Sequence, residues 1–251
     1  MKIVVIGELC YDYFIYGDCK RLSPEAPVPV FTPVKQITNL GMAGNVRQNL
    51  WSINPKLQIG LYHQVRTLKK TRYVDDKTNH MFLRVDEGEN DRVDGLYLSD
   101  EIIGEMKFAD ATIISDYDKG FLSPTMISNM LNFPKLKILD TKKIINEDIL
   151  KKLDFVKLNE SEFKNNNIPK SMLDKVIVTL GSKGTMYVDK IYPSPSPKET
   201  IDVSGAGDTF TASFTIKYLE TNNIEESIIY ANHMASIVVS KRGVAVPCDI
   251  S

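Results

Sequence analysis

The sequence predicts an α/β protein, a parallel sheet covered by helices, with a small exposed sheet set apart from it. Three observations carry that prediction. The chain opens on Ile3-Val4-Val5-Ile6, apolar on both faces and mostly β-branched. Such a run suits the centre of a parallel sheet buried under helices. From Ala111 onward, short apolar runs alternate with helix-like stretches, the pattern of a parallel sheet with right-handed crossovers. Two separate places carry extended segments outside that alternation, and they are bounded by prolines or turn residues.

Taken in order, the first strand stops at Gly7-Glu8. Tyr11-Asp12-Tyr13-Phe14-Ile15-Tyr16-Gly17 then reads as extended, and Val28-Pro29-Val30-Phe31 follows a Pro-rich turn at 23–27. Proline cannot donate to a ladder, which sends these strands to an edge or to a small exposed sheet. Thr71 to Asp75 and His80 to Asp86 add two more strands around the turn Asp76-Lys77-Thr78-Asn79. Together these segments predict a lid over about 11–35 and 70–87. Gly41 to Leu50 reads as a Gly-rich turn entering a helix. Strands are expected at Ala111–Ser115, Leu136–Asp140, Asp154–Leu158 and Lys175–Leu180, with helices at Ser123–Asn132 and Asn146–Lys152. Gly207 to Glu220 is apolar nearly all round in its first half and should be buried. Ile224, Ile228, Ala231, Ala235 and Val238 mark a last helix with one core face. Asn223, with Glu226 three residues on, resembles a capping box.

The composition narrows the function. The chain has 251 residues, 43% hydrophobic and 25% charged, which fits one ordinary globular domain. Lys+Arg is 31 and Asp+Glu is 32, for a net charge of -1. That balance argues against bulk binding to nucleic acid or to an anionic membrane. No apolar run approaches the roughly 18 residues that span a bilayer. Ile3–Ile6 is too short for a signal-peptide core of about 7–15 residues. Cys10, Cys19 and Cys248 form no CxxC pair, and His63, His80 and His233 lack metal-ligand spacing. A reduced, cytoplasmic protein is expected.

The segment richest in chemistry is Thr200-Ile201-Asp202-Val203-Ser204-Gly205-Ala206-Gly207-Asp208-Thr209-Phe210. Small residues let the backbone approach a ligand, and the following helix points free N–H groups and its positive end at the same spot. That is an anion hole suited to a phosphoryl group in transfer. Asp208 sits at the helix start, where a carboxylate can accept the proton of an attacking hydroxyl. A Gly turn with Asp208 as a plain helix cap is the bland alternative. The segment is neither a dinucleotide fingerprint, since Phe210 stands at the third Gly, nor a Walker A loop.

Gly-Ala-Gly-Asp preceded by Asp-x-Ser resembles the second signature of the PfkB, or ribokinase-like, sugar kinases. Further pieces come in that family's order. Gly41 to Asn49 resembles the sugar-binding Gly-Gly-x-x-x-Asn turn, with Met42 at the second Gly. Asn159-Glu160-Ser161-Glu162 resembles Asn-x-x-Glu, and Thr179-Leu180-Gly181-Ser182-Lys183-Gly184 resembles the nucleotide loop Thr-x-Gly-x-x-Gly. The resemblance covers essentially the whole chain and implies a three-layer α/β/α sandwich with a small β-sheet lid. Arg21-Leu22-Ser23-Pro24-Glu25-Ala26-Pro27-Val28-Pro29-Val30 is similar to a stretch of the heptose 7-phosphate kinases. Ser115-Asp116-Tyr117-Asp118-Lys119-Gly120 and Leu139-Asp140-Thr141-Lys142 resemble motifs of the same branch. Two departures stand out. Leu50 to Thr71 and Phe163 to Lys175 are short for the family, the second by about one helix. The chain also ends at Ser251, which leaves no room for the adenylyltransferase domain some relatives carry.

The resemblance implies roles. Asp208 is the base, and Gly205, Ala206 and Gly207 supply N–H donors to the phosphate. Asp12, Gly41 and Asn45 line the sugar pocket, while Asn49 is an ordinary helix residue. Lys142, Asn159, Thr179, Gly181 and Gly184 hold the nucleotide. Glu162 and Asn159 hold Mg²⁺ or its waters, since a hard cation prefers oxygen ligands. Asp202 and Ser204 match positions that bind a monovalent cation such as K⁺. A phosphorylated substrate needs basic residues, and Arg21, Lys20 and the run Arg66, Lys69, Lys70, Arg72 are the candidates. The expected activity is ATP-dependent phosphorylation of a heptose 7-phosphate-like sugar at its anomeric hydroxyl. A PfkB kinase for another sugar or nucleoside stays open, as does a non-catalytic sugar-phosphate binder. The aromatic lid strands need cover, so a homodimer through the lid is expected.

Overall fold

The computed structural model describes residues 1–89, 94–195, 203–241, 243 and 245–248. The chain begins with strands β1 (Lys2–Gly7), β2 (Leu9–Leu22) and β3 (Pro29–Met42), then helix α1 (Ala43–Ile53). Strands β4 (Gln58–Tyr62), β5 (Leu68–Asp75) and β6 (Met81–Glu87) follow, then α2 (Asp100–Phe108), β7 (Ala111–Asp116) and α3 (Pro124–Met130). Next come β8 (Leu136–Thr141), α4 (Glu147–Lys152), β9 (Phe155–Asn159), α5 (Glu160–Asn165) and β10 (Val176–Thr179). The described chain closes with β11 (Thr185–Tyr187), β12 (Lys190–Tyr192), α6 (Ala206–Thr221) and α7 (Ile224–Val238).

The main sheet has the order β12-β11-β10-β9-β8-β7-β1-β4. Its strands β4, β1, β7, β8, β9 and β10 are parallel, and β11 and β12 are antiparallel at one edge. Side chains alternate along each strand, so one strand feeds two cores. Ile3 and Val5 pack with Val46 and Leu50 of α1, Phe214 of α6 and Ile228 of α7. Val4 and Ile6 pack on the other face with Met106 of α2, Met130 of α3 and Leu150 of α4. This gives the expected three layers, and it explains why β1 is apolar on both sides.

The second sheet is the lid, with the order β3-β2-β5-β6. Its strands run longer than the sequence indicates, over 9–42 and 68–87. Pro29 and Pro33 sit on β3, an edge strand, where a missing N–H costs no ladder bond. Expected strands and helices elsewhere agree to within a few residues. Ser123, Asn146 and Asn159 prove to be N-caps just outside their helices. At α7 only half of the anticipated capping box forms. Asn223 accepts from the Glu226 N–H, but its own N–H goes to the Thr221 hydroxyl, and Glu226 pairs with Lys217. Where the segment is short for the family by about one helix, a six-residue 3₁₀ helix spans Lys170–Lys175.

Candidate active site

The carboxyl ends of parallel strands gather the functional groups, as open α/β sheets generally do. Glu8 follows β1, Tyr117 follows β7, Lys142 follows β8, and Asn159 and Thr179 end β9 and β10. The start of α6 meets these ends. Gly205 caps α6 with φ 81°, a left-handed conformation that glycine adopts without strain. The turn brings Asp208, only 4% exposed, under the strand ends.

Both oxygens of Asp208 are held. Tyr117 donates its hydroxyl to Oδ1 at 2.7 Å, and Asn45 donates Nδ2 to Oδ2 at 2.9 Å. Each oxygen keeps a second lone pair. The Asn45 amide is itself fixed by a relay. Thr209 donates to Oδ1 of Asn49, and Asn49 Nδ2 donates to Oδ1 of Asn45. This leaves only the Asn45 NH₂ to face the carboxylate. Burial pushes the Asp208 carboxyl up to about 6, while the bonds from Tyr117 and Asn45 pull the other way. A base in that range is ionised at neutral pH yet basic enough to take a proton.

A cavity of about 170 Å³ opens on Asp208. Asp12 and Gly41 line it, as do Gly205 and Ser204. A Cβ on residue 41 would stand 2.1 Å from Oδ2 of Asp12 and 2.6 Å from Sγ of Cys10, so only glycine fits there. Strand periodicity explains the rest of the wall. Asp12 of β2 is in register with Lys70 of β5, and Phe14 with Arg72; Arg72 is in turn in register with Arg84 of β6. In-register and alternate residues share a face, so Lys70, Arg72 and Arg84 reach the cavity together with Asp12. Arg72 ion-pairs with Asp12 and stacks on the Phe14 ring. Burial, with Asp12 beside it, pushes the Cys10 thiol up to about 12, so it stays a thiol.

Three expectations need correction here. Asn45 does not line the cavity; it is fully buried behind Asp208 and orients its carboxylate. Arg21 is exposed near the far end of β2, nine residues beyond Asp12, or roughly 30 Å along a strand. Within one chain it cannot reach this cavity, and Lys70, Arg72 and Arg84 supply the charge instead. Asn49 is more than an ordinary helix residue, because it carries the relay.

On the other side of Asp208 lies a larger cavity of about 530 Å³. Lys142, Asn159, Glu162, Thr179, Gly181 and Gly184, which the resemblance assigns to nucleotide and Mg²⁺, are brought together on its wall, and so are Ala206 and Gly207. Among the described residues, Tyr117 alone lines both cavities.

Residues 144–250 match the family described as pfkB family carbohydrate kinase. The bifunctional protein HldE of Helicobacter pylori strain J99 is 33% identical over 299 aligned positions, covering 97% of this chain and 64% of that protein. The match to the pfkB family lies in the second half of the chain. The alignment is longer than the 251 residues of the chain, as expected where family segments are shortened. HldE of a Nitratiruptor species is 29% identical, over 97% of this chain and 62% of that protein. The chain thus spans less than two thirds of the length of these relatives. Arabidopsis thaliana ribokinase complexed with ribose and ATP aligns with a TM-score of 0.69 at 15% identity, over 96% of this chain and 93% of that one. Escherichia coli phosphofructokinase-2 in complex with potassium aligns with a TM-score of 0.71 at 13% identity, over 98% and 94%. The fold is ribokinase-like.

Within the stretch that matches the family, Asn159 and Glu162 form a reciprocal capping box on α5. Oδ1 of Asn159 accepts from the Glu162 N–H at 2.8 Å, and Oε2 of Glu162 accepts from the Asn159 N–H at 2.7 Å. These residues thus cap a helix, and both also face the large cavity. Glu162 Oε1 lies 3.6 Å from the Lys142 ammonium. Among the described residues no cluster of three or more His, Cys, Asp or Glu could hold a metal by itself. That donor set fits Mg²⁺, which keeps several waters and binds through one or two carboxylates plus substrate phosphates. Asp202 lies outside the described residues, while Ser204 lines the small cavity.

Lys157, Arg84 and Thr209 were not singled out from the sequence. Lys157 bonds both oxygens of Asp140, at 3.1 and 3.0 Å, and its Nζ lies 2.9 Å from where a Cβ on residue 207 would stand. Burial alone would push this ammonium down; Asp140, Asp208 and Glu162 together more than reverse that and leave it raised. A fixed cation thus sits under the Gly205–Gly207 turn. A lysine two residues before the Asn-x-x-Glu motif, on the face of β9 opposite Leu158, was the available signal.

Proposed function

We propose that this domain transfers the γ-phosphoryl group of ATP to the anomeric hydroxyl of a sugar that already carries a phosphate, of the heptose 7-phosphate type. The observation that carries this reading is the small cavity, with a buried carboxylate at one end and Lys70, Arg72 and Arg84 beside it. A dianionic phosphate must be met by such groups, and a free sugar needs none of them. The likeness of the 21–30 stretch to heptose 7-phosphate kinases points the same way.

In the proposed step Asp208 takes the proton of the acceptor hydroxyl, whose oxygen bonds to the γ-phosphorus. The bond from that phosphorus to the β,γ-bridging oxygen breaks, and ADP leaves with the electron pair. The Gly205–Gly207 turn and the start of α6 offer N–H groups to the phosphoryl in transit. Lys157 adds a fixed positive charge below that turn, and Lys142 stands across the large cavity. Asp12 and the backbone at Gly41 hold the sugar. Bound Mg²⁺ would neutralise phosphate charge, with Glu162 and Asn159 nearest to hold it or its waters. K⁺ binding near Ser204 belongs to the same reading.

The test is a split in Michaelis constants. Lys70→Ala and Arg84→Ala should each raise the KM for heptose 7-phosphate. Losing a charge-assisted contact costs about 1.5–3 kcal/mol, or roughly 10–150-fold. The KM for ATP should change less than about twofold. Equal effects on both substrates would remove the phosphate from this cavity.

A further inference from the structure

Tyr117 stands between the two cavities, and nothing in the family signature at Gly205–Asp208 assigns it a task. Its hydroxyl is 2.7 Å from Oδ1 of Asp208. Its ring lies under the Lys142 ammonium, 5.0 Å from the centroid. Its backbone is held from below. Glu8 is completely buried and accepts three backbone N–H groups of the loop that carries Tyr117. Oε2 takes the Tyr117 N–H at 2.8 Å, and Oε1 takes those of Lys119 at 3.1 Å and Phe121 at 3.3 Å. The Glu8 carbonyl in turn accepts the Ala43 N–H at the start of α1, the helix that presents Asn45. One residue therefore ties down both arms that grip the base.

We propose that Tyr117 is a positioning residue for Asp208, which it holds ionised and aimed at the acceptor, and that Glu8 acts through Tyr117 by fixing its loop. The proposal rests on the reading of Asp208 as the base. The arrangement makes chemical sense. A buried carboxylate without a donor would protonate, and a protonated base cannot accept the hydroxyl's proton. A tyrosine suits this task because burial and the nearby carboxylates of Asp208 and Asp140 keep its own proton on well above the usual range. The other groups facing Asp208 are Asn45 from α1, Asp140 from β8, Lys157 from β9 and Cys10 from β2. Of these only Asn45 and Tyr117 donate a hydrogen bond to Asp208 itself.

The experiment is the pH dependence of kcat/KM for heptose 7-phosphate, with Asp208→Asn, Tyr117→Phe and Glu8→Gln measured beside the wild type. Tyr117→Phe removes one hydroxyl and no ring, so the fold should persist, as checked by circular dichroism. Removing a donor to the ionised form raises the carboxyl's pKa. The acid limb should therefore move up by about one to two pH units, the equivalent of one hydrogen bond to a charged group. The kcat should fall at least tenfold, with the KM for ATP within about twofold. Glu8→Gln keeps the shape of the residue but places an NH₂ against backbone N–H donors, and it should move the limb in the same direction. A merely structural tyrosine would leave the limb in place. An unmoved limb in Tyr117→Phe, with Asp208→Asn inactive, overturns the proposal and leaves the base reading standing. Turnover by Asp208→Asn overturns the base reading, and the proposal with it.

Discussion

On the proposed reading, Asp208 shows how one side chain is made into a base. Burial alone raises its carboxyl, and two donors bring it back to about 6. Because the pKa is raised, the ionised and active form is present above pH 6 and is lost as the pH falls through that value. Activity should therefore show an acid limb near pH 6 in kcat/KM. Asp208→Asn should cost roughly 10²–10⁴-fold in kcat, the usual worth of general-base catalysis, with nucleotide binding measured by calorimetry retained. At this scale the sequence was informative wherever a residue sits inside a local motif. Asp208, Asp12, Gly41 and Glu162 could be named from spacing and resemblance. Lys157 and Thr209 could not be named, because their partners lie on other strands or helices, and Arg84 could not, because the cavity it lines is completed by residues of β2 and β5. Lys157 to Asp140 spans 17 positions, and Thr209 to Asn49 spans 160. Arg21 failed for the opposite reason. Its motif was specific, but strand length carries it away from the cavity.

Among the elements, α5 is the clearest case of a structural device doubling as a functional one. Its capping box fixes Glu162 at the edge of the large cavity. Asn159→Ala should lose about 1 kcal/mol, the typical worth of an N-cap, which lowers Tm by about 2–4 °C in a domain of this size. It should also raise the KM for ATP, whereas Asn159→Asp, which caps equally well, should restore Tm. A thermal melt of both variants checks this. The lid strands were legible from prolines and alternating aromatics, but not their length. Tyr13 pairs with Thr38 and Tyr11 with Leu40 across β2 and β3, so the ladder runs on through residues 34–40, which carry no strong strand signal of their own. Met42 carries φ 58°, a conformation unusual for a residue other than glycine, and it stands where the family resemblance places one. The strand β4 and the helix α2 went unread because their apolar positions are few and short.

For the molecule as a whole, the alternation of Ile3 and Val5 against Val4 and Ile6 makes three layers necessary, and this is why the fold was readable from the first strand onward. The lid leaves apolar side chains outside, among them Val34, Ile37, Met81, Leu83 and Val85. Two exposed edges, β3 and β6, add unused backbone groups to that surface. We propose that a second copy covers it. Light scattering after size exclusion should give twice the mass of one chain, and Leu83→Lys should return it to a monomer. A wild-type monomer at working concentration would refute this cover.

The central claim is that the two cavities form one phosphoryl-transfer site acting on a sugar phosphate. The most direct measurement is ³¹P NMR of the purified domain incubated with ATP, Mg²⁺ and heptose 7-phosphate. The expected result is ADP together with a second sugar phosphorus signal, coupled to the anomeric proton, in equal amounts. ADP formation without that signal, or the same rate with unphosphorylated heptose, would contradict it.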